Sequence, residues 1–183
     1  MRIDRSKLIR FRGPATALAA TIIAFAPISQ ALADDTSSAF YDQGVTLMKR
    51  REFKKAIEAF DMSIGMASTD ARDYMRRGQC FFELEHYSLA IKDFTQALNY
   101  AQKDDPSPYL CRGIAYVKIK EHEKAVQDFE KAINLDPKLG DAYAGMGEVY
   151  KQKGETEEAL SSYDKALKKD PKNVNALVGR ADI

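Results

Sequence analysis

Residues Tyr109 to Pro137 read YLCRGIAYVKIKEHEKAVQDFEKAINLDP, and this stretch decides the fold. Tyr109, Gly113 and Tyr116 are spaced four and three apart, which puts them on one face of a helix. After the polar break around Lys120-Glu121, Ala125, Phe129 and Ala132 repeat that spacing on a second helix. Asp136-Pro137 stops it, because proline lacks the backbone N–H and clashes with the preceding turn. The stretch therefore encodes two amphipathic helices joined by a short turn.

The same constellation recurs along the chain. The first-helix glycine appears as Gly44, Gly78, Gly113 and Gly147, and the aromatic four residues earlier as Phe40, Tyr74, Tyr109 and Tyr143. Leu47, Phe81, Tyr116 and Tyr150 follow each glycine by three. The second helix carries Ala56, Ala90, Ala125 and Ala159, then Phe60, Phe94, Phe129 and Tyr163, then Ser63, Ala97, Ala132 and Ala166. A glycine inside a helix costs about 0.5–1 kcal/mol against alanine. Its recurrence points to close backbone approach, with the aromatic rings filling the space that small residues leave.

A helix–turn–helix unit with a period of about 34 residues resembles the tetratricopeptide repeat family. The resemblance implies an all-α, right-handed α-solenoid of antiparallel helix pairs, in which each unit completes its burial against its neighbours. The repeat domain spans 34–183, with units near 37–70, 71–105, 106–139 and 140–173 and a partial fifth helix over 174–183. First helices are expected over 37–49, 71–84, 107–119 and 141–152, and second helices over 53–65, 87–102, 122–134 and 156–168. The second unit has one extra residue, and there Asp105 is expected to cap the next helix with Pro106 in its first position. The fifth helix carries Leu177 and Ala181 in the aromatic and glycine slots. It is expected to cover part of Leu160, Tyr163 and Leu167.

The first 33 residues differ in kind. Arg2, Arg5, Lys7, Arg10 and Arg12 form a basic head, Ala15 to Ile28 is an uncharged apolar run, and Ala31-Leu32-Ala33 is a small-x-small cleavage pattern. Together they read as a cleavable secretory signal peptide, 1–33, and place the protein in a bacterial periplasm. An uncleaved inner-membrane anchor is the alternative, and would be the chain's one attachment to a membrane. The whole chain carries +1 and this segment +4, five basic residues and Asp4, so residues 34–183 carry −3. That balance argues against a nucleic-acid partner, which calls for a basic surface.

No G-x-S-x-G, H-E-x-x-H or C-x-x-C occurs, so the reading is of a protein without catalysis, cofactor or metal. The acidic residues read as a solvated surface. Cys80 and Cys111 fall at different slots of successive units and read as packing residues, with a disulfide between neighbouring units as the alternative. His122 occupies the slot of Phe53, Tyr87 and Thr156, which also suggests packing.

Two constellations remain. Just before the glycine stand Gln43, Arg77, Arg112 and Met146; just before the second-helix aromatic stand Ala59, Asp93, Asp128 and Ser162. Arginine and aspartate occur together in units two and three and are both absent from one and four, so Arg77–Asp93 and Arg112–Asp128 are expected to tie the helices of their units. The family resemblance implies a concave groove lined by Tyr41, Val45 and Met48, by Met75, Gln79 and Phe82, by Leu110, Ile114 and Val117, and by Ala144, Glu148 and Lys151. The lysines and asparagines with which some members clamp a carboxylate are missing from the first three units. An apolar or amphipathic peptide or helix of a protein partner suits these slots better, held by Phe82, Leu110 and Ile114. The alternative is a self-associating structural subunit, such as a homodimer, or a piece of a longer repeat protein whose groove is filled by its own chain. Mass spectrometry of the protein recovered from the cell envelope should find Asp34 at the N-terminus; an intact Met1 would revive the membrane anchor.

Overall fold

The computed structural model describes residues 34–66 and 69–183. The basic head, the apolar run and Ala31-Leu32-Ala33 lie outside the described residues. Helix α1 covers 34–49. It is followed by α2 (Phe53–Met66), α3 (Ala71–Glu83), α4 (Tyr87–Tyr100), α5 (Ser107–Lys118), α6 (His122–Leu135), α7 (Gly140–Lys153), α8 (Thr156–Lys169) and α9 (Val174–Ala181). No strand occurs among the described residues. Each helix packs on its neighbours in sequence, and α7 also reaches α5 and α9, as stacked helix pairs require.

The turn inside each unit is built the same way. Arg51, Glu85, Lys120 and Gly154 adopt left-handed backbone, with φ of 60°, 61°, 60° and 78°. The next N–H then reaches back to close a six-residue cap, as in Glu121 N to Tyr116 O at 3.0 Å and Glu155 N to Tyr150 O at 2.9 Å. Three of the four positions accept this conformation without glycine, which costs roughly 1 kcal/mol each.

Helix starts and stops follow local chemistry. The Asp105 carboxylate accepts the Ser107 N–H at 2.9 Å, and Pro106 already has helical φ and ψ of −77° and −16°. In the third and fourth units Asp136 and Asp170 accept the N–H of Lys138 and Lys172, folding the chain back before the next helix. Helix α4 ends at Tyr100, two residues short of the expected 102, because Ala101 turns to extended backbone (φ −65°, ψ 155°).

The core is a row of aromatic rings. Phe60, Phe94, Phe129 and Tyr163 are 0%, 1%, 0% and 1% exposed. Each lies against the glycine of its own unit: a Cβ added at Gly44, Gly78, Gly113 or Gly147 would stand 2.6–2.8 Å from the ring. Two further glycines close on the rings from the following unit. A Cβ at Gly145 would come within 2.4 Å of Phe129, and one at Gly179 within 2.4 Å of Tyr163. Helix α9 thus does more than the partial cover expected of it, sealing the Tyr163 ring, with Ala176 buried beside it.

One sequence expectation needs correction: Asp73 is not solvated surface but 2% exposed, while Asp93 and Asp128, at 3% and 5%, are buried in their ion pairs with Arg77 and Arg112. His122 opens α6 half-buried, as Phe53 and Tyr87 do in the same slot, with Nε2 3.1 Å from Gln152 Oε1 of the next unit. Cys80 and Cys111 are free thiols, and burial pushes the Cys80 thiol up to about 12.

The glycines provide a contrast that thermal unfolding can read. Gly65 in α2 has nothing within 4 Å of an added Cβ, so Gly65→Ala should stabilise the fold by about 0.5–1 kcal/mol. Gly145→Ala should destabilise it by about 1–3 kcal/mol, because a buried ring cannot retreat. Equal effects would show that the Phe129 contact does not constrain α7.

Candidate functional site

The two arginines sit where first and second helices meet. Arg77 donates from Nε to Asp93 Oδ2 at 2.8 Å and from Nη2 to Asp93 Oδ1 at 2.7 Å. Arg112 does the same to Asp128, at 2.8 Å for both bonds. Each is a bidentate pair, the geometry in which guanidinium and carboxylate bind most strongly. Asp128 and burial act in opposite directions on Arg112, and its pKa ends above the ordinary arginine value. At Arg77 burial opposes the charge, but the bonds from Asp93 and Asp61 outweigh it.

The sequence comparison missed the third arm of each guanidinium. Arg77 Nη1 reaches Asp61 Oδ1 at 2.6 Å, and Arg112 Nη1 reaches Thr95 Oγ1 at 3.0 Å. Both acceptors lie in the second helix of the preceding unit, so each arginine straps two units together. Arg180 occupies the same slot in the partial fifth unit and pairs with Asp164 at 2.8 Å. Extending the repeat alignment through residue 180 would have revealed it.

The residues expected to line the groove separate into two groups. Tyr41, Val45 and Met48 pack on the core of Ala56, Phe60 and Cys80, and Met75 and Phe82 pack on that of Ala90, Phe94 and Ala115. The Phe82 ring meets Tyr87 edge-on at 5.2 Å, and Arg72 lies over the Tyr41 ring at 5.1 Å. Gln79 accepts a hydrogen bond from Arg76 at 3.0 Å. Leu110 packs on the Phe129 cluster, and Ala144 is 3% exposed. Of the expected groove residues in this group, Ala144 is buried and the others are half-buried.

Ile114, Val117, Glu148 and Lys151 come together around an open cleft of about 470 Å³ that runs from α5 across α7 to α9. Its floor is formed where Gly145 and Gly179 lie on the buried Phe129 and Tyr163 rings. Arg76 and Cys111 occupy the matching slots of earlier units, where, among the described residues, no such recess forms over the ring. Val178, 55% exposed, adds an apolar wall. Glu148 is the polar hub: it accepts from the Tyr163 hydroxyl at 3.2 Å and from Gln152 at 2.9 Å, and pairs with Lys151 at 3.1 Å. Burial opposes the Glu148 charge, but the Gln152 and Lys151 bonds hold its pKa below the usual carboxylate range. Lys151 also reaches Asp182 at 3.4 Å. The cleft therefore presents apolar walls and a rim on which Glu148 and Lys151 are paired with each other. Among the described residues, no group of three His, Cys, Asp or Glu side chains is placed to hold a metal.

Models of this repeat match three segments: residues 71–104, 115–154 and 140–173, the last described as "Tetratricopeptide repeat". The chain belongs to the tetratricopeptide repeat family. Mitochondrial import receptor subunit TOM34 of Homo sapiens is 33% identical to it over 63 residues, which are 34% of this chain and 20% of that protein. The chain thus spans about a fifth of the length of the curated relatives it matches. Among solved structures, MamA is 28% identical, with a TM-score of 0.69 over 76% of this chain and 82% of that one. The Arabidopsis OM64 TPR domain is 25% identical, with a TM-score of 0.63 over 66% of this chain and 98% of that one. These tetratricopeptide neighbours share the stacked helix pairs on which the cleft is built.

A double-mutant cycle on Arg112→Ala and Asp128→Ala, read by urea unfolding, should give a coupling between about 1 and 3 kcal/mol. The pair is 17% and 7% exposed at its side chains. The same cycle on Arg180 and Asp164, 55% and 59% exposed, should give less than about 1 kcal/mol. Equal couplings would remove the argument from burial.

Proposed function

We propose that this tetratricopeptide protein is an exported interaction scaffold that holds an apolar or amphipathic segment of a protein partner in the cleft between its third and fifth units. The observation that carries this reading is the open cleft over Gly145 and Gly179, where the absence of side chains leaves a recess walled by Ile114 and the exposed Val178. A preformed concave surface with an apolar floor and a few polar groups is the usual form of a peptide site. Glu148 and Lys151 on the rim are paired with each other, so the apolar walls are where much of the affinity would come from. The likeness to a mitochondrial import receptor subunit supports a role in contact with other proteins. Export rests on the basic head, apolar run and small-x-small pattern of the first 33 residues.

A second copy of the chain is the other candidate occupant. The exposed apolar side chains of α9, Val174 at 68%, Leu177 at 49% and Val178 at 55%, favour it. Light scattering over a range of concentrations separates the two readings, since a partner-binding scaffold stays monomeric.

The test uses amphipathic helical peptides selected by display against the purified protein. Val178→Asp, at an exposed site on the cleft wall, should weaken the selected peptides by at least about tenfold without lowering the melting temperature. Met62→Asp, at a 50% exposed site on α2 outside the cleft, should leave them unchanged. Weakening by Met62→Asp, or indifference to Val178→Asp, would overturn the reading.

A further inference from the structure

A second cleft, of about 900 Å³, opens at the first junction between units, among the start of α1, the α2–α3 turn and the α4–α5 turn. We propose that it binds a guanidinium cation, the side chain of an arginine in a partner peptide. This goes beyond the function proposed above and holds whether or not the concave cleft takes a peptide.

The first junction differs from the later ones, which it should resemble. In the slot of Ser63 the later units carry Ala97, Ala132 and Ala166, all fully buried. In the slot of Asp73 they carry Pro108, Ala142 and Ala176, also buried. Three junctions therefore close with small apolar residues, and packing at the first creates no need for a carboxyl. Yet Asp73 is there, 2% exposed, beside a Ser37–Ser63 pair in which Ser63 donates to Ser37 O at 2.9 Å and the two hydroxyls lie 3.0 Å apart. Its Oδ1 is buried and has no hydrogen-bond partner. A buried polar atom left unsatisfied is costly, and natural proteins keep few of them. Burial raises the Asp73 pKa accordingly. Asp73 also lines the cleft, so a donor entering there would supply the missing partner.

The rest of the lining specifies the donor. Asp34, Asp70, Asp73, Asp104 and Asp105 face the cleft, against one lining cation, Arg72. No three of the described carboxylates are close enough together to hold a metal ion. They suit an extended cation that can meet several at once. Tyr100, 41% exposed and stacked on Tyr74 at 5.6 Å, adds an aromatic face to the wall. The near side of the cleft already displays this chemistry within the chain. The Arg72 guanidinium donates to Asp70 at 2.9 Å from Nε and 2.6 Å from Nη2 while lying 5.1 Å over the Tyr41 ring. A planar guanidinium joins carboxylate and aromatic recognition in a way a compact ammonium does not.

The purified protein is titrated with three short capped peptides that differ at one residue: arginine, lysine, or citrulline, which has nearly the shape of arginine without the charge. Backbone amide NMR follows Thr69, Asp73 and Ala101. The arginine peptide should bind at these positions, the lysine peptide more weakly and the citrulline peptide not at all. Asp73→Ala, which installs the residue of the later junctions, should weaken arginine binding by at least about tenfold and raise the melting temperature. Citrulline or lysine binding as well as arginine would overturn the proposal, as would shifts confined to other parts of the chain. An Asp73→Ala protein with undiminished affinity would also overturn it. So would one that melts lower or fails to fold, because Asp73 would then serve the fold.

Discussion

The structure depends on one contact repeated along its length: the second-helix aromatic ring set against a first-helix backbone that has no side chain in the way. Phe60, Phe94, Phe129 and Tyr163 are sealed from water in this manner. Burying such a ring is worth about 1.5–3 kcal/mol, more than the glycine costs its helix. Helix spacing, the tilt between pairs and the next unit's position all follow from how closely that backbone approaches. Because each ring is shared with the next unit, no unit completes its core alone, and the array is stable through its neighbours.

Repeat packing is local, and for that reason much of the fold was legible in the sequence. Slot-by-slot comparison located the helices, the caps at Asp105 and Asp136, and the slots in which Arg77, Arg112 and their aspartates stand. It could not see exposure. Tyr41, Met75 and Phe82 look like a groove surface when each slot is treated as equivalent, yet they spend their area on the cores beneath them. Nor could it see that the left-handed turn is kept at Arg51, Glu85 and Lys120, because nothing in those side chains announces positive φ. The turn is imposed by the two helices it joins.

What distinguishes one part of the array from another lies in departures from the repeat, and these are the hardest features to weigh from sequence. Gly145 and Gly179 replace side chains that occupy the same slot in earlier units, and the concave cleft is the space they leave. Asp73 and Ser63 replace residues that are alanine or proline elsewhere, and the acidic cleft surrounds them. A sequence pattern defines the unit by what recurs, so it discounts the positions where chemistry has been added.

The straps between units follow the same logic and bear on how the concave cleft can work. Arg77 binds Asp61, Arg112 binds Thr95 and Arg180 binds Asp164, each reaching back across a junction. At the junction between the third and fourth units that slot is Met146, which packs on the Phe129 cluster instead. A bidentate guanidinium fixes both distance and direction, whereas apolar packing is non-directional and tolerates small sliding. The concave cleft crosses the Met146 junction and the next one, which the exposed pairs Arg180–Asp164 and Lys151–Asp182 span. The chain thus combines directional straps at its other junctions with one apolar contact, between the third and fourth units, where the cleft can adjust its width without breaking an arginine strap.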